Sequence, residues 1–166
     1  MLRSLLLELS RSPRMAHFVM HNGTSRRMAR RFVPGEALDD AAAAVRELNA
    51  RGRPCSLDCL GESVTSEAEA RCAAETYLGI FDRIAARHLD CNVSLKLTQL
   101  GLDISEPLCE SLFAKILEHA ARQRNFVRID MESSAYTQRT IDICKHAREK
   151  SDAVGTVLQS YLYRTE

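Results

Sequence analysis

Glycine-rich phosphate loops are missing from this sequence. Gly61, Gly101 and Gly155 stand alone, and nothing matches G-x-G-x-x-G or the P-loop. A nucleotide cofactor would therefore not be held in the Rossmann manner. None of the six cysteines (55, 59, 72, 91, 109 and 144) forms a C-x-x-C pair, and none lies at zinc spacing from a histidine. They read as small buried hydrophobes in a reducing compartment, with no metal site expected. No apolar run approaches the roughly 18 residues that would suggest a spanning helix. Leu5-Leu6-Leu7 is broken by Glu8, too soon for the apolar core of a secretory signal.

What is present is ordinary in amount and uneven in placement. The 166 residues are 45% hydrophobic and 27% charged, which suits one soluble globular domain. Net charge is +1, but residues 1–31 hold seven Arg against the single acid Glu8, which leaves the rest net −5. Three readings of this basic arm stand. It could meet an anionic membrane or nucleic acid, serve as an organelle transit peptide, or be a solvated, partly helical lead-in. Aromatic interleaving of the kind single-strand binders use is missing there apart from Phe18 and Phe32, so nucleic acid is not expected as a partner. Residues 1–36 read as the arm and 37–166 as the folded domain.

From residue 38 the pattern alternates. Helical spacing over Leu38–Ala50 ends in Asn49-Ala50-Arg51-Gly52. Pro54–Gly61 has strand length. Thr65 or Ser66 caps a helix to about His88. Asn92–Gly101 reads as a strand, Ser105-Glu106-Pro107 opens a helix to about Arg122, and Asn125–Glu132 is the third strand. A helix over Tyr136–Lys150 and a strand over Ala153–Tyr161 follow. Strands alternating with long helices, about 29–38 residues apart, argue for a parallel α/β sheet.

Side chains of a strand alternate faces. Val93, Leu95 and Leu97 share one face, and Ser94, Lys96 and Thr98 the other. Val127, Ile129 and Met131 oppose Arg128, Asp130 and Glu132. Ser56, Asp58, Leu60 and Glu62 align, as do Val157, Gln159, Tyr161 and Tyr163. One polar face per strand suits a (β/α)-barrel, whose strand C-termini open into a top cavity, better than a sheet buried on both sides. Four strands make half of the eight that close such a barrel.

The polar face collects Asp58, Glu62, Lys96, Arg128, Asp130, Glu132 and Gln159. These charges could simply neutralise one another at a sheet rim, since buried charge is costly unless paired. They could equally form a site, because three strands each place an ionisable group on one parity near one end. Lys96 could bind an anion or act as a Schiff-base amine. Asp58 and Asp130 beside it favour the protonated, anion-binding state. His17, His21, His88, His119 and His146 fall on helices or the arm, away from the strand ends.

Four motifs in order resemble those of the flavin-dependent proline dehydrogenase family: Leu57-Asp58-Cys59-Leu60-Gly61-Glu62, Val93–Gly101 around Lys96, Arg128-Ile129-Asp130-Met131-Glu132, and Val157-Leu158-Gln159-Ser160-Tyr161-Leu162. Phe32-Val33-Pro34-Gly35-Glu36 looks like the family's lead-in. The resemblance implies a (β/α)8 barrel of TIM type, here its first four units or so, binding FAD at the strand C-termini. It implies oxidation of L-proline to Δ1-pyrroline-5-carboxylate, with hydride passing to the flavin N5. By carry-over, Lys96 neutralises the proline carboxylate near the flavin, and Asp130 orders the pocket beside both. Gln159 bonds the flavin ring, Glu62 resembles an acid that pairs with an Arg to gate the pocket, and Asp58 supports the network. Electrons would pass to a membrane quinone. That implies a cytoplasmic protein with peripheral membrane contact, mitochondrial if eukaryotic. The expectation is an N-terminal half, weak or inactive alone. The alternatives are an aldolase-like barrel using Lys96 and a non-catalytic half-barrel.

Overall fold

A computed structural model describes residues 33–35, 37–61, 63–160 and 163–165. The basic arm up to residue 32 and the candidate Glu62 lie outside the described residues. The chain divides into a first unit ending at Ala44 and a second, Val45–Glu166. Helix α1 (Leu38–Asn49) runs across that boundary, with Asp39 and Asp40 in its first turn and Arg46 in its last. Both placements suit the helix dipole.

The second unit is a run of βα repeats. Strand β1 (Cys55–Asp58) leads to α2 (Glu67–Ala86), and β2 (Cys91–Leu95) leads to α3 (Glu106–Arg122). Strand β3 (Val127–Ile129) leads to α4 (Thr137–Arg148), and β4 (Val154–Thr156) closes the series. All pairings are parallel, in the order β1-β2-β3-β4. This is the α/β, partial-barrel architecture expected from the alternation.

Local chemistry sets the helix starts. Ser66 and Glu69 form a reciprocal capping box: Ser66 Oγ accepts the Glu69 amide at 3.3 Å, and Glu69 Oε2 accepts the Ser66 amide at 3.2 Å. Ser105 caps α3, with Pro107 in the first turn, where its missing N–H costs nothing. At the far end of α1, Asn49 bonds both the amide and the carbonyl of Asp90, at 2.9 and 3.0 Å, which ties the entrance of β2 to the helix end.

The core lies between the sheet and the helices. Val93, Leu95, Val127, Ile129 and Val154 have no exposed surface, and they share the apolar parity read from the sequence. The other parity carries Ser56, Asp58, Asn92, Ser94 and Arg128.

All four strands are shorter than their patterns suggest: β1 ends at Asp58 rather than Gly61 and β3 at Ile129 rather than Glu132, and β2 and β4 give way in their own manner. After Lys96 the chain does not continue as a strand to Gly101 but turns into a 3-10 helix, Leu97–Leu100. Gly101 ends that turn at φ 82, and a Cβ there would lie 3.2 Å from the Ala70 side chain. The apolar residues of this stretch are buried by the turn, so periodicity alone could not separate turn from strand. Strand β4 ends at Thr156 rather than Tyr161, with one further ladder bond from Val157 N–H to the Ile129 carbonyl at 3.1 Å. The cysteines also divide. Cys91, Cys109 and Cys144 are buried as expected, Cys55 and Cys59 are half-buried, and Cys72 is exposed on α2.

Candidate active site

The ladder register brings the polar residues together. Asp58 pairs with Ser94, and Ser94 with Arg128, so one row crosses three strands. Lys96 and Asp130 follow immediately beyond the ends of β2 and β3. Lys96 is still extended (φ −107, ψ 137) and so keeps the parity of Ser94. The Asp130 amide donates to the Leu95 carbonyl at 2.8 Å, which carries the ladder one step past β3.

Asp130 is held from two sides. Ser94 Oγ donates to its Oδ1, and Arg128 Nε stands 3.8 Å from the same oxygen. Arg128 also reaches past β2 to β1, where Nη2 donates to Ser56 Oγ at 2.9 Å. Asp58 is raised above the ordinary aspartate range, first by burial and then by the charge of Asp130, while Lys96 and Arg128 pull it down. Two carboxylates and two cations thus share one strand-end cluster, with no formal charge left over.

Glu132 and Gln159 are placed differently from the open polar face that parity suggests. Glu132 is engaged by Thr98, from Oγ1 at 2.6 Å and from the amide at 3.2 Å. Gln159 lies beyond β4, where its Nε2 donates to the Met131 carbonyl at 3.1 Å. Its Oε1 is buried without a partner among the described residues. His119 pairs with Asp82 at 2.8 Å and His146 lies 3.9 Å from Glu110, both between helices. A cavity of about 890 Å³ lies at the opposite end of the strands, bordered by His88, Asn92 and Asn125. It shares none of the charged cluster.

Three further residues have polar roles that the sequence does not announce: Ser94 in the cluster, and the buried pair Tyr77 and Gln99, whose hydroxyl and amide are bonded to each other. Ser94 sat on the polar parity, but alternation cannot tell an idle hydroxyl from one that orients a carboxylate. Tyr77 and Gln99 read as helix and strand residues. The available signal was a glutamine inside an otherwise apolar segment, since a buried amide must find partners.

The family model for proline dehydrogenase matches residues 41–166. The chain belongs to the proline dehydrogenase family. It is 39% identical over 164 residues to proline dehydrogenase 1 of Bacillus subtilis subsp. natto, covering 99% of this chain and 54% of that protein. It is 32% identical over 143 residues to the proline dehydrogenase of Deinococcus radiodurans, covering 83% and 46%. The chain thus spans about half the length of the curated proline dehydrogenases it matches. A crystal structure of proline utilization A from Bdellovibrio bacteriovorus, inactivated by N-propargylglycine, superposes with a TM-score of 0.78 at 21% identity. That match covers 85% of this chain and 18% of the other. It carries the fold, and the barrel-type reading of the three βα units and fourth strand agrees with it.

Proposed function

We propose that this chain forms one wall of a site that oxidises L-proline to Δ1-pyrroline-5-carboxylate with FAD as cofactor. The observation that carries the reading is the balanced cluster of Asp58, Lys96, Arg128 and Asp130 at the strand C-termini. Catalytic cavities of barrel enzymes open at that end.

The residues present fit a flavin. Gln159 has a buried carboxamide oxygen without a partner among the described residues, an acceptor suited to an imide N–H of the ring. When bound, the flavin supplies the hydride acceptor, which no side chain here can provide. Gln159, Lys96 and Asp130 would hold it.

Lys96 serves as a compact positive charge for the substrate carboxylate. Asp130, fixed by Ser94 and Arg128, orders the pocket beside it. Asp58 stands in the same charged cluster, its carboxyl raised by burial and by Asp130 and lowered by Lys96 and Arg128. Glu62, on its motif alone, would be a gating partner for an arginine. Residues 37–166 would be the barrel portion and 1–36 a basic arm. Electrons leave to a membrane quinone, with peripheral contact at the membrane of a cytoplasmic or mitochondrial protein. Among the described residues no helix is long and apolar enough to cross a membrane.

The test is proline-dependent bleaching of bound flavin in the full chain, with detection of the cyclic imine product. A protein that binds no flavin, or whose flavin proline does not reduce, would overturn the reading. Borohydride trapping of a carbonyl substrate on Lys96 would support aldolase chemistry instead.

A further inference from the structure

Gln99 is a polar side chain in the apolar interior, 4% exposed. Its amide is engaged at both atoms. Tyr77, on α2 and without exposed surface, donates its hydroxyl to Gln99 Oε1 at 2.5 Å. Gln99 Nε2 in turn donates to the Cys59 carbonyl at 2.9 Å. A carbonyl only accepts, so the amide can stand only one way round, with its oxygen toward the phenol. Burial raises the Tyr77 pKa, so the phenol keeps the proton it donates.

The preceding residue of the same turn holds the other end of the loop. Thr98 Oγ1 accepts the Ser63 amide at 3.3 Å. Ser63 has φ 54, a left-handed conformation uncommon for serine. Between the two ties lies Gly61, where a Cβ would stand 2.8 Å from Gln99 Nε2. The chain leaving β1 therefore runs directly over the Gln99 amide, pinned at Cys59 and at Ser63.

We infer that Gln99 is a positioning residue: through the Cys59 carbonyl it fixes the backbone next to Asp58 and so holds the Asp58 carboxyl within the charged cluster. Its meaning for turnover rests on the proline-oxidising reading above, whereas the positioning itself does not. Asp58 faces Asp130 and Arg128 from the β3 side, Lys96 from the end of β2 and Tyr77 from α2, with the Cys59 thiol next to it. Moving the loop changes its distance from all of these at once.

The experiment reads the Asp58 carboxyl directly by carbon NMR titration, together with hydrogen exchange at the amides of Leu60, Gly61 and Ser63, in the full chain without proline or flavin. Gln99→Met keeps side-chain length and removes both bonds. It is expected to return Asp58 toward the ordinary aspartate range and to speed loop exchange about tenfold, the effect of losing roughly 1.4 kcal/mol of restraint. Tyr77→Phe should move both readouts part of the way. A folded Gln99→Met variant with unchanged Asp58 titration and unchanged exchange would overturn the inference. Should that variant not fold, Gly61→Ala displaces the same amide from the loop side and leaves the core side chains in place. The same two shifts are then expected, and their absence would overturn it. Neither readout needs turnover, so failure of the oxidation reading leaves the result standing and distinguishable.

Discussion

Thr98 and Glu132 are bonded twice, hydroxyl to Oε2 at 2.6 Å and amide to Oε1 at 3.2 Å. The pair joins the turn after β2 to the segment after β3. Thr98→Val keeps the shape but leaves Glu132 with one bond and the Ser63 amide without its acceptor. A loss of about 1–3 kcal/mol in urea unfolding is expected, the usual range for stranding buried polar groups. Thr98→Ser should retain most of the stability. Equal stability of the valine variant and the parent would show the bond to be idle.

Lys96 is the substrate-carboxylate partner in the proposed reaction. In the full chain, Lys96→Ala is expected to lower kcat/KM for proline by about 100-fold or more, in line with the cost of leaving a buried charge unpaired. Steady-state kinetics with proline and an artificial electron acceptor would measure it. Unchanged kinetics would remove Lys96 from the site.

Asp58 makes a prediction with a definite sign. Burial and Asp130 raise its carboxyl in the folded chain above the unfolded value. The folded state therefore binds the proton more tightly, and this group favours folding as pH falls from the raised value toward the ordinary range near about pH 4. Above the folded pKa its ionised form carries its full destabilising cost. Asp58→Asn should accordingly raise Tm at neutral pH. The gain should shrink as pH falls through the folded pKa and vanish below about pH 4. A Tm difference independent of pH would contradict the assignment.

The cysteines differ in reactivity as they differ in burial. Burial pushes the thiols of Cys91 and Cys109 up to about 12, so thiolate is scarce at neutral pH. Cys72 is exposed. Iodoacetamide applied to the native protein should modify Cys72 first, with Cys91 and Cys109 labelled only on unfolding. Peptide mass mapping reads the order. Labelling of Cys109 at the rate of Cys72 would show that the core opens.

The strands and helices were legible because each carries its own period, and α2 and α3 carry caps as well. Ser66, Ser105 and the Val93/Leu95 alternation are local signals, and local physics obeyed them. Lys96, Asp130 and Asp58 were legible as a group because parity and parallel order together imply adjacency. The turn at Leu97–Leu100 was not, since an apolar run is buried equally well by a strand or a 3-10 helix. The Thr98–Glu132 and Tyr77–Gln99 bonds were not either. They join residues 34 and 22 positions apart, and no repeat in the sequence encodes which hydroxyl meets which carboxylate or amide. Gln159 was legible by motif but not by strand position, because β4 gives way before reaching it.

The strand order in space is the strand order in the chain. Cys55 meets Cys91, Val93 meets Val127, and Val127 meets Val154, so each pairing closes a loop of one βα unit. Loop-closure entropy is then similar at each of these three steps, and among the described strands each meets the one from the preceding βα unit. A chain emerging from the ribosome can add each strand to the one before it, using the finished edge as template. Folding of this segment is in that sense vectorial, and the charged cluster first becomes a cluster when β3 docks.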